Sequence, residues 1–246
     1  MKKPQIIAHR GWSGRYPENT LISFEKALEL PVDGIEFDLR MTADREIVIS
    51  HNFDIDIRSN GSGCIADFTL AELKKFDFGI KKGEEFAGTR IPTFDELLDL
   101  VAAKRPDIWL AVEIKDDDWD LAKRVFRELE RRGFDSHCSI ISFKPNVLRA
   151  ARKYAPQIPR HGFSVLNLTA DAGKDDYLNL INRVGINIKQ LTMKMVDFYH
   201  ERGITVDTWA PGNVAEYMVA RACGVDYLTT NDPDVILPLQ EKFSEL

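Results

Sequence analysis

Apolar and polar positions alternate with a period of two along Gly34-Ile35-Glu36-Phe37-Asp38-Leu39-Arg40. Side chains two apart on an extended chain share a face, so Ile35, Phe37 and Leu39 form one side of a strand and Glu36, Asp38 and Arg40 the other. Elsewhere short β-branched runs alternate with amphipathic stretches of helical length, which predicts a parallel sheet with crossover helices. Eight strands are expected, over residues 5–9, 34–39, 108–114, 139–143, 158–165, 186–190, 204–209 and 227–230. Helices are expected over 20–30, 94–104, 117–132, 145–154, 175–184, 193–202 and 214–223. Thr93 with Glu96 and Asn213 with Glu216 read as capping boxes, Pro145 suits a first helical position, and Gly133, Gly203 and Gly224 stand where helices stop.

A ninth strand-like run, 46–50, follows 34–39 too closely for a parallel crossover, so it returns as a hairpin. With the turn centred between Ala43 and Asp44, or one residue later, His51 comes back level with Glu36 or Asp38. Residues 52–92 hold loop chemistry, such as Ser59-Asn60-Gly61-Ser62-Gly63, and one short helix capped by Thr69 with Glu72. That segment reads as a small insertion at the mouth of a barrel, where a surface embellishment and a lid are both open readings. No linker divides the chain, and 246 residues suit one barrel domain. The fold class is α/β, a (β/α)8 TIM-type barrel spanning 1–246.

The apolar fraction of 44% and charged fraction of 29% are those of a globular chain able to bury a sizeable core. A formal charge of −6 argues against a nucleic-acid groove as the main business. Met1-Lys2-Lys3 is basic, but the apolar run after it is too short for a secretory signal, and no run approaches the roughly 20 apolar residues of a membrane span. Cys64, Cys138 and Cys223 are odd in number and far apart, which suits buried thiols in a reducing compartment. A cytoplasmic protein without stable membrane insertion is expected; oligomeric state is not legible.

The polar face of 34–40 carries two carboxylates on an otherwise apolar strand, which is costly unless something positive lies between them. Glu113 and Lys115 repeat the alternation at the end of the third barrel strand, and a simple ion pair between them is one reading. In a barrel Glu113 also points to the axial space of Glu36 and Asp38, and three converging carboxylates form an all-oxygen site suited to Mg²⁺ or Ca²⁺. His9-Arg10-Gly11 ends the first strand, where barrel enzymes place their active groups, and an Arg there can grip phosphate oxygens. In Pro17-Glu18-Asn19-Thr20, Asn19 or Thr20 reads as a helix cap, while Glu18 has no capping role and is open to metal-side or hydrogen-bonding duty. Trp209 ends the seventh strand, either as core or as the wall of a pocket for the carbon part of a substrate. His137, His161 and His200 are expected to be structural or exposed, Asp116-Asp117-Asp118 a solvated helix start, and Arg40 structural.

Taken together, His9-Arg10-Gly11, Pro17-Glu18-Asn19-Thr20, Glu36 with Asp38, His51, Glu113-Ile114-Lys115 and Gly224-Val225-Asp226 through Thr230-Asn231-Asp232-Pro233 resemble the glycerophosphodiester phosphodiesterase family. The resemblance runs in order from residue 5 to about 236. It implies a distorted eight-stranded α/β barrel that splits glycerophosphodiesters into glycerol 3-phosphate and an alcohol. It also implies that Glu36, Asp38 and Glu113 hold one divalent metal, that His9 and His51 are the acid and base, and that Arg10 and Lys115 hold the phosphate. Two departures stand out: Asn52 follows His51 where the family often has Asp, and Trp209 is followed by Ala-Pro-Gly-Asn, one residue longer than usual before the Asn. The alternatives are a lysophospholipid or sphingolipid phosphodiesterase, and a catalytically silent phosphodiester-binding barrel. Against the first, Phe53, Phe68, Phe76, Phe78 and Phe86 make no apolar stripe; against the second, no charged site residue is lost.

Overall fold

The computed structural model describes residues 3–164 and 174–243. Its barrel strands are β1 (Gln5–His9), β2 (Gly34–Met41), β4 (Trp109–Ile114), β5 (Cys138–Ile141), β6 (Arg160–Phe163), β7 (Arg183–Asn187), β8 (Thr205–Trp209) and β9 (Tyr227–Thr230). Neighbours in that series pair in parallel and β9 pairs with β1, so the eight strands close on themselves. The extra strand β3 (Ile47–Ile49) hangs on β2 in the antiparallel sense. Leu39 opposes Ile49, and two residues further on His51 falls opposite Phe37, midway between the two levels expected for it. Ser50 N–H donates to the Asp38 carbonyl at 2.9 Å, which carries the pairing to the residue before His51.

The helices are α1 (Leu21–Leu28), α2 (Leu70–Leu73), α3 (Phe94–Lys104), α4 (Trp119–Arg131), α5 (Pro145–Tyr154), α6 (Lys174–Leu178), α7 (Met193–His200), α8 (Val214–Cys223) and α9 (Pro233–Lys242). Thr69 and Thr93 both complete capping boxes. Asn213 caps only half of one, because the Glu216 carboxylate takes the Gly212 N–H at 2.9 Å instead of the cap residue's own. In α4 the buried residues are Leu121, Ala122, Val125, Phe126 and Leu129, a three-four spacing that lays one stripe on the barrel. Each such Leu, Val or Phe contributes about 1.5–3 kcal/mol by leaving water.

Three expectations need correction. β7 begins at Arg183, three residues before the expected 186, and α6 ends at Leu178 instead of running to 184. The inward residues of β7 are Arg183, Gly185 and Asn187, so the strand shows no apolar inner face, while buried Leu180, Ile181 and Val184 imitate a continuing helix. α9 is an unexpected element: Pro238 lies inside it and argues against a helix from sequence alone. The expected end of the fifth strand at Val165 lies outside the described residues.

Residues 52–92 pack a small core of their own, in which Ile55, Ile65, Leu73, Phe78 and Ile91 join Val48, with Phe68, Leu70 and Phe76 against them. The aromatic scatter is thus largely internal, although Phe53 is 64% exposed. The segment is tied to the end of β1: Lys82 Nζ donates to the carbonyls of Ser13 and Gly14, each at 2.8 Å, and Arg58 pairs with Glu18 at 3.0 Å. Among the described residues no helix is long and apolar enough to cross a membrane.

Candidate active site

The chain leaves β1 through a left-handed turn, with φ of 55° at Arg10 and 75° at Gly11. A Cβ at Gly11 would come within 2.7 Å of the Ser23 backbone, so only glycine permits this close approach to the first turn of α1. The turn aims Arg10 back over the barrel, and its N–H donates to Glu36 Oε2 at 3.0 Å. Thr20 caps α1, whereas Asn19, also left-handed with φ 57°, is no cap. Its Nδ2 donates to Asp38 Oδ2 at 2.7 Å, so the sequence reading of Asn19 as a candidate cap is replaced by a role in orienting Asp38.

Strand register places His9 beside Glu36 and Asp38 beside Glu113. The carboxylates of Glu36, Asp38 and Glu113 are buried and offer oxygens within 4.8 Å of one another. Lys115 Nζ stands 2.9 Å from Asp38 Oδ1 and 2.7 Å from Glu113 Oε1, and Arg10 Nε 3.3 Å from Asp38 Oδ2. These are ion-pair distances without hydrogen-bond alignment, and Asp38 Oδ1 and Glu113 Oε1 have no hydrogen-bond partner among the described residues. Three buried acids face two cations, so one negative charge is left over. The titration follows. Burial, then Asp38 and Glu113, raise Glu36 well above the carboxylate range. Burial raises Glu113 to about 7. Asp38 resists burial and is held low by Lys115 and Arg10. An all-oxygen, over-acidic, unsaturated cluster is the donor set a hard divalent cation takes.

Both histidines are held in one tautomer by an asparagine. His9 Nδ1 lies 2.6 Å from Asn231 Oδ1, and His51 Nδ1 lies 2.9 Å from Asn52 Oδ1. A carbonyl accepts, so Nδ1 of each ring carries the proton and Nε2 is the free lone pair. Burial, helped by Arg10, lowers His9 to about 4, and burial also lowers His51. Both rings are therefore neutral at pH 7. Arg40 holds the second of these histidines by its backbone. Its Nε and Nη2 donate to the His51 carbonyl at 3.1 and 2.8 Å, while Nη1 pairs with Asp116 at 2.6 Å. Asp116 is thus a clamp, not part of a solvated helix start; Asp118 is the residue that caps α4. Arg40→Ala is expected to cost about 1.5–3 kcal/mol of stability through these charge-assisted bonds. Loosened placement of His51 should also lower kcat about 10- to 100-fold; urea melts and initial rates check both.

Around this cluster a cleft is lined on its polar side by His9, Arg10, Glu36, His51, Glu113 and Lys115, and on its carbon side by Ile141, Phe143, Phe163 and Trp209. Phe143 stacks on Phe163 with ring centroids 3.4 Å apart, and Trp209 meets Phe163 edge-on at 6.3 Å. Trp209 therefore walls the cleft. Glu18 does not line it: its carboxylate bridges Arg10 and Arg58, each at 3.0 Å. His137 is exposed and His200 pairs with Asp226, both away from the cleft.

A sequence model of the glycerophosphoryl diester phosphodiesterase family matches residues 9–235. The chain belongs to that family. It is 32% identical, over 98% of its length and 99% of the relative's, to a glycerophosphodiester phosphodiesterase of Caldanaerobacter subterraneus subsp. tengcongensis. It is 29% identical to one of Bacillus altitudinis, over 97% and 98% of the two chains. A phosphodiesterase of Oleispira antarctica, solved in complex with the product sn-glycerol-3-phosphate, superposes with a TM-score of 0.83 at 25% identity, covering 97% of each chain.

In this phosphodiesterase five side chains to which the sequence alone gives no part reach the site: Asn19, Asn231 as the partner of His9, and His161, Asp207 and Thr229. His161, expected to be structural or exposed, is buried and lines the cleft with Asp207 and Thr229. The alternation of His161 with Phe163 and of Asp207 with Trp209 was the available signal. Thr229 Oγ1 donates to the Asp207 carboxyl, at 3.1 and 2.9 Å from its two oxygens, and burial raises Asp207 from an ordinary 3.8 to about 7. Between those values the folded protein keeps a proton that the unfolded chain has released, so folding stability falls as pH rises from about 4 to 7. Asp207→Asn removes that term. Its melting temperature is expected to fall less than that of the wild type between pH 5 and 8, as scanning calorimetry would read; equal slopes would refute the burial effect.

Proposed function

We propose that this member of the family hydrolyses glycerophosphodiesters to glycerol 3-phosphate and an alcohol, with one divalent ion, Mg²⁺ or Ca²⁺, held by Glu36, Asp38 and Glu113. The observation that carries the reading is the convergence of three buried carboxylates, two cationic side chains and two neutral histidines on one cleft. When bound, the metal supplies Lewis-acid neutralisation of the phosphodiester anion. Arg10 and Lys115 hold the phosphoryl oxygens and stabilise the charge that builds on them in the transition state. One imidazole Nε2 accepts the proton of the attacking oxygen as that oxygen bonds to phosphorus. The other histidine, once its Nε2 has taken a proton from solvent, gives that proton to the alcohol oxygen as the second P–O bond breaks, and the base returns its own proton to solvent. Glu18 serves the substrate through Arg10, whose guanidinium it orients. Trp209, with Phe143 and Phe163, contacts the carbon skeleton.

The chain acts as one barrel domain over 1–246, with 52–92 as an insertion at its mouth, on a small-molecule substrate and without nucleic acid. Three free thiols, Cys64, Cys138 and Cys223, support a cytoplasmic setting. The test is a panel of metals against glycerophosphocholine and lysophosphatidylcholine, read as released choline, with glycerol 3-phosphate the other product of the first and lysophosphatidic acid of the second. Turnover of glycerophosphocholine that chelation abolishes and Mg²⁺ or Ca²⁺ restores is expected. Release only from lysophosphatidylcholine, or none from either, would overturn the reading.

A further inference from the structure

We propose that His161 and Asp207 form a hydroxyl-recognition subsite in the depth of the cleft, which takes the glycerol end of the ligand and leaves the variable alcohol facing the mouth. The inference rests on the reading of the site as one for glycerophosphodiesters, and it names which end of such a molecule enters the barrel and what holds it there.

Unsatisfied polarity is the first ground. His161 is only 2% exposed, and neither of its ring nitrogens has a hydrogen-bond partner among the described residues. Trp209 Nε1, on the same cleft, is likewise buried and unpartnered among them. Buried polar atoms are almost always satisfied, so a group of them on one cavity calls for a ligand that carries donors and acceptors. Spacing is the second ground. His161 Nε2 and Asp207 Oδ2 are 3.9 Å apart, too far to bond directly. A hydroxyl oxygen about 2.8 Å from each could bond to both. Asp207 is kept in place by Thr229 Oγ1, and its raised titration leaves it able to share a proton with such a hydroxyl.

Room is the third ground. Gly185 faces His161 from the neighbouring strand, and a Cβ there would lie 2.9 Å from His161 Nε2 and 3.1 Å from the Phe163 ring. Glycine keeps open the space that a side chain would fill. Two residues deeper along β7, Arg183 stacks 3.4 Å over the Tyr227 ring and does not line the cleft, so the pocket ends there. A hydroxyl-binding end bounded by these side chains suits a short polyol better than a choline or an acyl chain. Those larger groups are left to the open side near His51.

The experiment compares the affinity of glycerol 3-phosphate with that of 1-propyl phosphate, which lacks both glycerol hydroxyls, by isothermal titration calorimetry on the full chain with Mg²⁺. Wild type is expected to favour glycerol 3-phosphate at least tenfold. His161→Phe should erase that preference while leaving propyl phosphate affinity within about twofold, a split that a merely structural change would not produce. Gly185→Ala, which keeps both side chains and fills the space between them, should reduce the preference as well and serves if the Phe variant does not fold. Equal binding of the two ligands by wild type, or a preference retained in either folded variant, would overturn the subsite. Absence of glycerophosphocholine turnover in the wild type would instead overturn the proposed reaction, since the binding comparison does not depend on it.

Discussion

Glu36→Gln is expected to lower kcat/KM about 10³-fold and, in the same protein, to raise the melting temperature of the metal-free form. The first effect follows from charge stabilisation by a bound cation, worth several kcal/mol in a phosphoryl-transfer transition state, at 1.36 kcal/mol per factor of ten. Removing one of the three proposed ligands should forfeit most of it. The second effect follows from the crowding of the acids. Burial, Asp38 and Glu113 all disfavour the Glu36 carboxylate, so without a cation its ionisation opposes folding. A neutral amide of the same shape still accepts the Arg10 N–H and removes that repulsion. For a chain of this size each kcal/mol regained is about 2–4 °C. Activity within tenfold of wild type would refute the ligand assignment, and a lower melting temperature without metal would refute the electrostatic account. Chelation of the wild type should mimic the loss of activity, and added Mg²⁺ or Ca²⁺ should reverse it.

The same crowding explains how much of the site is legible in the sequence. A barrel strand buried on both faces shows polar residues only where its inner face meets a ligand or a special partner. On β2 and β4 those exceptions, Glu36, Asp38, Glu113 and Lys115, interrupt apolar runs and betray the site. On β7 the inner face is Arg183, Gly185 and Asn187, and the missing apolar signal displaced the expected strand by three residues. The hairpin arithmetic located His51 because antiparallel register depends only on the turn between the strands, and the observed level lies midway between the two expected. Partners that meet through closure of the barrel have no such local mark. Asn231 reaches His9 from 222 residues away, and Asp116 reaches Arg40 from 76. Asn19 looks like a cap because Asn commonly is one, and only the positive φ reveals that its side chain turns inward to Asp38. His161 lacks an adjacent arginine, and its alternation with Phe163 is a weak signal beside that of His9-Arg10, because in a barrel the relevant neighbours lie on other strands.

His9→Ala and His51→Ala are each expected to lower kcat by about 10² to 10⁴, the range for loss of a positioned acid or base, with circular dichroism and melting temperature nearly unchanged. The fold should tolerate both, since among the described residues the hydrogen bond of each ring goes to one asparagine, Asn231 or Asn52. Burial lowers the affinity of both rings for protons, so each begins neutral with Nε2 available. Either can be the base, and the other must gain a proton before it can serve as acid. If attack and departure share one transition state, the two losses will not multiply: the double variant should fall little below the weaker single variant, because a proton removed at one oxygen without one delivered at the other gains little. Multiplicative losses would instead place the two proton transfers in separate steps. Near-normal turnover in either single variant would remove that histidine from the chemistry, and for His51 would leave Arg40, Asp116 and Asn52 to be explained as a scaffold for something other than the ring they hold.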